Sequence, residues 1–183
     1  GLLQTQSDGS VRMMDFFDEQ RMSRLYEKFI LEYYRREHPH VNASASFIDW
    51  ALDDGVSDGL PAMRSDITLS TRGRTLIIDA KYYASTMQSN FDKRTVHSGN
   101  LYQIFAYVKN KQIAFERAGE SIEVSGMLLY AATDEDIQPD ATYRMSGNRI
   151  SATTLDLDRP FEEIRAQLDG IVASLTALPG EEP

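Results

Sequence analysis

The most informative stretch of the chain, residues 63–83, reads Met-Arg-Ser-Asp-Ile-Thr-Leu-Ser-Thr-Arg-Gly-Arg-Thr-Leu-Ile-Ile-Asp-Ala-Lys-Tyr-Tyr. Polar and apolar residues alternate over 66–70, and a second β-rich run starts at Leu76. The Arg-Gly pair at 72–73 is typical of a tight hairpin turn. The pattern therefore predicts two antiparallel strands joined by a short turn.

The register of this predicted hairpin brings two acidic side chains together. If the turn is centred between residues 72 and 73, the numbers of opposed residues sum to 145, and Asp66 faces Asp79. Directly opposed side chains share one face of an antiparallel pair, with Cβ atoms about 5 Å apart. Lys81 follows Asp79 by two residues, so it projects from the same face. Two carboxylates and one ammonium group are expected on one small patch.

The paired carboxylates suggest a metal site, because two aspartates at this distance repel each other unless a cation lies between them. Mg²⁺ (or Mn²⁺ as a substitute) binds carboxylate oxygens and keeps water molecules for a substrate phosphate. A neighbouring lysine can orient or deprotonate the attacking water and offset charge that develops at phosphorus. We therefore expect Asp66 and Asp79 to bind metal and Lys81 to act on the water. A solvated hairpin with a salt bridge is the alternative.

Composition limits the classes of protein that remain. The 183 residues fit one domain with a substantial core, and Cys is absent, which excludes disulfides and thiolate metal sites. With three His, a zinc site is not favoured. No apolar run is long enough to span a membrane and no secretory signal opens the chain, so we expect a cytoplasmic protein. The first residue is Gly, which suggests a fragment of a longer protein.

The net charge of −9 is unevenly distributed along the chain. Residues 60–111 contain 8 Lys/Arg against 3 Asp/Glu, whereas residues 1–59 contain 6 against 11 and residues 112–183 contain 5 against 14. The positive excess therefore lies in the segment with the hairpin, which suits contacts with phosphate. The acidic remainder predicts weak DNA binding by the chain alone. Ordinary fluctuation of surface charge is the alternative.

Periodicity predicts the elements around the hairpin. The predicted helices are 15–37, ended by Pro39; 100–113; and 160–177, with Asp158 as its cap. The predicted strands are 45–52, a central strand at 122–133 and a second hairpin at 141–157 that turns at Gly147-Asn148. Residues 53–61 and 134–140 are predicted loops, and 84–98 is predicted to be a substrate-contacting flap or a disordered segment.

Apolar residues at helical spacing predict the buried face of each helix. The predicted buried stripes are Met22, Leu25, Tyr26, Phe29, Ile30 and Tyr33 in the first helix; Leu101, Ile104, Phe105 and Val108 in the second; and Phe161, Ile164, Leu168 and Ile171 in the third.

Three polar residues at the edges of these stripes are candidate site residues. Glu27 lies about 60° from Ile30 on the helical wheel, so it can reach inward to a metal, although spacing alone favours a solvated side chain. Gln103 and Tyr107 belong to a polar line with Asn100 and Lys111, since spacings of three to four residues place all four on one side of a helix. They suit hydrogen bonding to a phosphate or a metal-bound water, and a merely polar helix flank is the alternative.

The order helix, strand, Asp66, hairpin, Asp79-Ala-Lys81, helix resembles the core of the PD-(D/E)xK nucleases. The resemblance implies an α/β fold of restriction-endonuclease type, with a mixed central β-sheet flanked by helices. It also implies that a glutamate on the first helix, here Glu27, joins the metal site directly or through water. The Gln103-x-x-x-Tyr107 element resembles the RecB-like branch of this superfamily.

Three motifs together are similar to the McrC family. They are Leu-Pro-x-Met-Arg-Ser-Asp-Ile at 60–67, Leu-Ile-Ile-Asp-Ala-Lys-Tyr-Tyr at 76–83 and Gly-Asn-Leu-Tyr-Gln-Ile-Phe-Ala-Tyr-Val at 99–108. The resemblance implies the nuclease subunit of a modification-dependent, McrBC-type restriction system, which works with an AAA+ GTPase subunit of McrB type. Residues 15–177 would form the nuclease domain and 178–183 a polar tail. Residues 1–14 would be a linker or the remnant of a missing N-terminal region.

The sequence thus favours a Mg²⁺-dependent DNA endonuclease that pairs with a second copy on the duplex. Asp66, Asp79 and the backbone carbonyl of Ala80 would bind metal, and Gln103 and Tyr107 would hold substrate or water. The alternatives are a RecB-like exonuclease or repair nuclease without a GTPase, and a catalytically silent DNA-binding scaffold. The chain has no P-loop, so nucleotide-driven motion would come from a partner.

Overall fold

A mixed five-stranded β-sheet lies between α-helices in the computed structural model, which describes residues 2–83, 87–90 and 93–177. The helices are α1 (Leu2–Glu37), α2 (Ser98–Arg117) and α3 (Phe161–Thr176). The strands are β1 (Phe47–Ile48), β2 (Met63–Arg64), β3 (Ile67–Ser70), β4 (Arg74–Lys81), β5 (Met87–Asn90), β6 (Lys93–Val96), β7 (Glu123–Ala131), β8 (Ala141–Met145) and β9 (Asn148–Leu155). The predicted tail at 178–183 lies outside the described residues.

The main sheet has the strand order β3-β4-β7-β9-β8. Strands β4, β7 and β9 are parallel, whereas β3 and β8 are antiparallel to their neighbours. Parallel neighbours require a crossover, and α2 provides it between β4 and β7. The predicted α/β class, with a mixed sheet flanked by helices, is confirmed, and β7 is the central strand as expected. The pairs β1-β2 and β5-β6 form two small separate sheets.

The side chains of β4 alternate between two apolar cores, one on each face of the sheet. On one face, Leu76, Ile78 and Ala80 pack in a cluster with residues of α1 and α3. On the other face, Ile77 packs in a cluster with residues of α2. The same alternation directs Asp79 and Lys81 toward the α2 face. Because both faces of β4 are covered, the polar residues at its end lie in a largely buried setting.

Helix α1 begins at Leu2, earlier than the predicted start at residue 15, and ends at Glu37 before Pro39 as predicted. Tyr26, Ile30, Tyr33 and Tyr34 are buried, and Phe29 is half-buried. The predicted burial of Met22 and Leu25 is wrong, since they are 40% and 52% exposed. Among the described side chains of α1, the buried ones all lie at or beyond Tyr26, because only this part of the helix packs against the sheet.

Polar contacts join the end of α1 to α3. The Tyr34 hydroxyl donates a hydrogen bond to the Leu168 carbonyl at 2.9 Å. The Tyr33 hydroxyl donates to Asp169 Oδ1 at 2.6 Å, and His38 Nε2 lies 2.7 Å from the same oxygen. The first and last helices are therefore held to each other as well as to the sheet.

Several predicted boundaries require correction. The strand predicted at 45–52 is limited to Phe47–Ile48, which pair with the two residues of β2, while Ser44 forms only an isolated bridge with Thr68. Residues 84–98 contain the hairpin β5-β6 rather than lacking structure, although 84–86 and 91–92 lie outside the described residues. Its strands hold few apolar residues, so periodicity gave no signal. The loops predicted at 53–61 and 134–140 are confirmed.

The remaining helices and the second hairpin differ from prediction at their ends. Helix α2 is longer than the predicted 100–113, and only Ile104 and Val108 of its predicted stripe are fully buried. The N-cap residue of α3 is Pro160 rather than the predicted Asp158. Phe161, which is part of the predicted buried stripe, is exposed. The β8-β9 hairpin turns at Ser146-Gly147, one residue earlier than predicted, with positive φ at both residues, as expected for a tight two-residue turn. No helix in the described part of the chain is long and apolar enough to cross a membrane.

Gly126 of β7 is a point of close contact between the sheet and α2. A Cβ atom there would lie 2.7 Å from Val108 Cγ2, 2.8 Å from Ile104 Cγ1 and 3.2 Å from Ile150 Cδ1. All three neighbours are buried and branched, so they cannot move aside easily. We expect Gly126→Ala to destabilise the protein by about 1–3 kcal/mol through overpacking, which thermal unfolding would measure.

Gly170→Ala is the matched control for this prediction. Gly170 lies in α3 and has open space around its Cα, so alanine should leave stability unchanged or raise it by up to about 1 kcal/mol. Equal unfolding temperatures for the Gly126→Ala variant and the wild type would contradict the close contact between β7 and α2.

Candidate functional site

The β3-β4 hairpin has the register that the sequence predicts. Ile67 is paired with Ile78 and Ser70 with Thr75, so the numbers of opposed residues sum to 145. The Thr71 N–H donates to the Arg74 carbonyl at 2.8 Å, which closes the two-residue turn. Extending this register by one residue beyond Ile67 brings Asp66 opposite Asp79.

Asp66 lies just before β3, where backbone pairing with β4 has ended. The N–H of Ala80 therefore has no backbone partner on β3, and it donates instead to Asp66 Oδ2 at 2.9 Å. This hydrogen bond fixes the carboxylate beside β4. Within a strand both polar groups of a residue point to the same neighbour, so the Ala80 carbonyl is directed to this side as well.

Asp79 and Lys81 form a buried ion pair on the α2 face. Lys81 Nζ lies 3.1 Å from Asp79 Oδ2, and the side chains of Lys81 and Asp79 are only 17% and 6% exposed. Lys81 Nζ also donates to Gln103 Oε1 at 3.1 Å, and Gln103 Nε2 donates to the Tyr107 hydroxyl at 2.8 Å. The structure thus connects Asp79, Lys81, Gln103 and Tyr107 in one polar chain.

One oxygen of this site has an unsatisfied hydrogen-bonding capacity. Asp79 Oδ2 is buried, and no donor in the described residues forms a directed hydrogen bond with it, although the Lys81 ammonium is within ion-pair distance. The Lys81 ammonium offsets part of the cost of burying this oxygen, and a bound cation would satisfy its remaining lone pair. Two carboxylates and a nearby backbone carbonyl are hard oxygen donors of the kind that Mg²⁺ binds while it keeps several waters. The donor set therefore fits Mg²⁺.

The surroundings of Asp66 and Lys81 shift the pKa values of both groups. Burial raises the pKa of Asp66 to about 9, assisted by its hydrogen bond with Asp79 and by the charges of Asp79 and Glu27, while the Ala80 N–H opposes the shift. For Lys81, burial lowers the pKa, but the charge of Asp79 and further groups outweigh it and raise the pKa overall. The Asp66 carboxyl group therefore retains its proton near neutral pH, and the Lys81 ammonium stays charged.

Glu27 lies near the two aspartates but does not complete a three-residue metal cluster. Its helix is anchored by the neighbouring Tyr26, whose hydroxyl donates to the Leu129 carbonyl at 3.1 Å. Burial raises the pKa of Glu27, and the charge of Asp79 raises it further, against the charges of Lys81 and Arg24. Within residues 2–83, 87–90 and 93–177, no group of three or more His, Asp and Glu residues is placed to hold a metal. A role for Glu27 at the metal, direct or through water, stays a prediction.

A second polar network beside Lys81 was not predicted from the sequence. The buried amide of Asn100 accepts a hydrogen bond from the Tyr83 hydroxyl at 3.2 Å and donates to the Tyr130 hydroxyl at 3.0 Å. Asn100 therefore ties the start of α2 to the ends of β4 and β7. Its place on the polar line of α2 was visible in the sequence, but its partners are distant in the chain and gave no local signal.

The mixed five-stranded sheet with its flanking helices is that of an α/β protein with a restriction-endonuclease-like core. Residues 19–131 match the family model described as the McrBC 5-methylcytosine restriction system component, and the chain belongs to this family. It is also similar to the type IV methyl-directed restriction enzyme EcoKMcrBC of Escherichia coli (strain K12), with 33% identity over 167 residues. The alignment covers 89% of this chain and 46% of that relative, so the chain spans less than half of the relative's length. The resemblance predicted from the three sequence motifs is confirmed.

Proposed function

We propose that this chain is the metal-dependent DNA endonuclease domain of a McrC-type restriction subunit. The observation that supports this most directly is the convergence of Asp66, Asp79 and Lys81 at the end of one hairpin, with a buried Asp79 oxygen that lacks a hydrogen bond. The order of these residues is that of the PD-(D/E)xK signature. The relative's description as a methyl-directed restriction enzyme supports DNA as the substrate.

The residues of the site divide the work of phosphodiester hydrolysis. Asp66 and Asp79 would hold Mg²⁺ with the Ala80 carbonyl, and Glu27 would contact the metal's water shell. Bound Mg²⁺ supplies Lewis-acid polarisation of the phosphate and lowers the pKa of its water. The charged Lys81, held by Gln103, offsets negative charge that develops on the phosphate oxygens and orients the attacking water. Tyr107 holds the Gln103 amide in place.

A partner is proposed to deliver the DNA to this site. The net charge of −9 opposes tight binding of a polyanion, because phosphate contacts supply most of the non-specific affinity for DNA. The McrC resemblance implies an AAA+ GTPase subunit of McrB type as that partner. One site cuts one strand, so double-strand cleavage would use two copies of the chain that meet on the duplex.

The test is a plasmid-cleavage assay with 5-methylcytosine-containing and unmodified DNA at physiological salt. With Mg²⁺ alone, the isolated chain is expected to nick DNA slowly, and the GTPase subunit with GTP should accelerate cleavage of the modified plasmid by at least about tenfold. The same plasmids with EDTA are the control for metal dependence. Sub-micromolar binding with multiple-turnover double-strand cleavage by the isolated chain would overturn the partner requirement. Absence of cleavage in every combination would overturn the nuclease assignment.

A further inference from the structure

A cavity of about 470 Å³ lies directly beside Asp66, between α1 and the segment that leads into β3. The cavity is lined by two of the candidate metal-binding acids, Glu27 and Asp66. It is also lined by three basic residues, which are Arg24, Lys28 and Arg64. The division of charge along the sequence did not reveal this group. Arg24 and Lys28 belong to the net-acidic first 59 residues, and folding brings them to Arg64.

The two basic residues of α1 are placed on the cavity by helical geometry. Arg24, Lys28 and Leu31 follow each other at spacings of four and three residues, so they lie on one face of the helix. All three line the cavity. The hydrogen bond of Tyr26 to Leu129 fixes this turn of α1 against the sheet. The backbone of Arg24 and Lys28 is therefore held in place relative to Asp66.

Arg64 is oriented by an aromatic contact. Its guanidinium carbon lies 5.2 Å from the centre of the Phe47 ring, and Phe47 is its partner in the β1-β2 pair. This stacking holds one face of the planar group and leaves its N–H edges available for oxygen acceptors. Arg64 precedes Asp66 by two residues, and both line the cavity.

The three cations of this cavity are not neutralised by ion pairs. Within the described parts of the chain, no carboxylate lies within ion-pair distance of Arg24, Lys28 or Arg64; the charge of Arg24 acts on Glu27 only from a greater distance. Elsewhere, basic residues such as Arg35 and Arg159 are paired with acids. Unpaired cations in a concave surface attract anions more strongly than the same charges on a flat one.

We propose that Arg24, Lys28 and Arg64 form a binding site for backbone phosphates of the DNA strand that is cut, adjacent to the scissile phosphate at the Asp66 and Asp79 site. This inference rests on the proposed nuclease function and names the side of the site along which the strand runs. One strand of DNA carries a charge about every 3.4 Å along the helix axis, so a strand with one phosphate at the acids places the next ones within reach of the neighbouring cavity. The positive charges also reduce repulsion between the substrate and the acidic protein.

The experiment measures DNA affinity as a function of salt for Lys28→Gln, Arg64→Gln and the double variant of the full chain. A fluorescent short duplex is titrated without divalent ions, beginning at low ionic strength. Each lost phosphate contact should lower the slope of log K against log salt by roughly 0.9, and the double variant should lose at least about tenfold in affinity. Arg64→Lys keeps the charge and is expected to keep most of the slope.

Arg72→Gln is the matched control, because it removes the same charge at the exposed hairpin turn, at the opposite end of β4 from the site. It should leave the slope unchanged, and unfolding temperatures show that each variant is folded. Where binding is too weak for fluorescence anisotropy, the NMR signals of the Arg side-chain N–H groups are followed in the same proteins as duplex is added to millimolar concentration. Absence of a response at Arg64 would then contradict the proposal. A response to inorganic phosphate but not to duplex would assign the cavity to a free anion and also overturn it.

The same panel separates this inference from the proposed function. Wild-type cleavage in Mg²⁺, together with slopes that are equal across the variants, would refute the phosphate site and leave the nuclease assignment intact. Slopes that fall only in the cavity variants, without cleavage by any protein, would support the phosphate site and refute the nuclease assignment.

Discussion

Asp79→Asn is expected to lower Mg²⁺-dependent DNA cleavage by roughly a thousandfold or more, because loss of a metal-binding carboxylate removes several kcal/mol of transition-state stabilisation. Asp66→Asn is expected to have a similar effect. Both changes keep the side-chain shape, but Asp79→Asn removes the ion-pair partner of the buried Lys81, so unfolding temperatures are measured to check that each variant is folded. The rate of plasmid nicking at saturating Mg²⁺ measures the loss, and Asp58→Asn, in the exposed loop after β1, is the matched control for charge.

Asp66→Asn has a second expected consequence that is independent of activity. The folded chain binds the Asp66 proton more tightly than the unfolded chain, since the pKa rises from 3.8 to about 9 on folding. This carboxyl group therefore destabilises the metal-free fold increasingly as pH rises through that range, and the effect vanishes below it. The variant should unfold at a higher temperature than the wild type at pH 8 in EDTA, with little difference near pH 4.

The shared metal site would be contradicted by calorimetry that finds wild-type Mg²⁺ or Mn²⁺ affinity in both aspartate variants. An unfolding temperature for Asp66→Asn that follows the wild type at every pH would contradict the raised pKa of Asp66 in the metal-free protein.

Lys81→Met is expected to lower cleavage by about a hundredfold or more while metal binding is retained. The ammonium group is assigned to the charge that develops on the phosphate, and removal of one such group typically costs 10²- to 10³-fold in rate. The methionine keeps the length of the buried stem but leaves Asp79 without its cation. Single-turnover cleavage rates and calorimetric Mg²⁺ affinity distinguish this role from that of a metal ligand.

Two further variants make the lysine prediction specific. Lys81→Arg keeps the charge and should recover part of the activity, and Lys111→Met removes a lysine from α2 outside the site. Undiminished cleavage by Lys81→Met at saturating Mg²⁺ would remove the lysine from the mechanism.

The parts of the site that the sequence predicted are those set by local geometry. The turn at 72–73 fixes the register of β3 and β4, and the two-residue period of a strand then places Asp66, Asp79 and Lys81 together. Gln103 and Tyr107 were found from the helical period of α2, and the structure joins them to Lys81. In each case one element of regular structure contains the whole spacing.

The parts that were missed depend on contacts between distant segments. The exposure of Leu25 follows from where α1 leaves the sheet, which periodicity within α1 does not encode. The strands β5 and β6 pair through backbone hydrogen bonds and contain few apolar residues, so no alternation of polar and apolar residues predicts them. The cavity cations Arg24 and Arg64 are 40 positions apart in the sequence. Only the packing of α1 against the hairpin makes them neighbours.

The contacts between α1 and α3 join residues inside the family-model match to residues beyond it. The family match ends at residue 131, whereas the tyrosines of α1 are covered by a helix that begins at Phe161. Tyr34 bonds to the Leu168 carbonyl, and Tyr33 bonds to Asp169. A protein cut at residue 131 is expected to expose this apolar face and to leave α1 held by the sheet alone, through contacts such as that of Tyr26 with Leu129. We therefore expect α1 and α3 to unfold together, so the position of Glu27 depends on residues that take no part in the chemistry of the site.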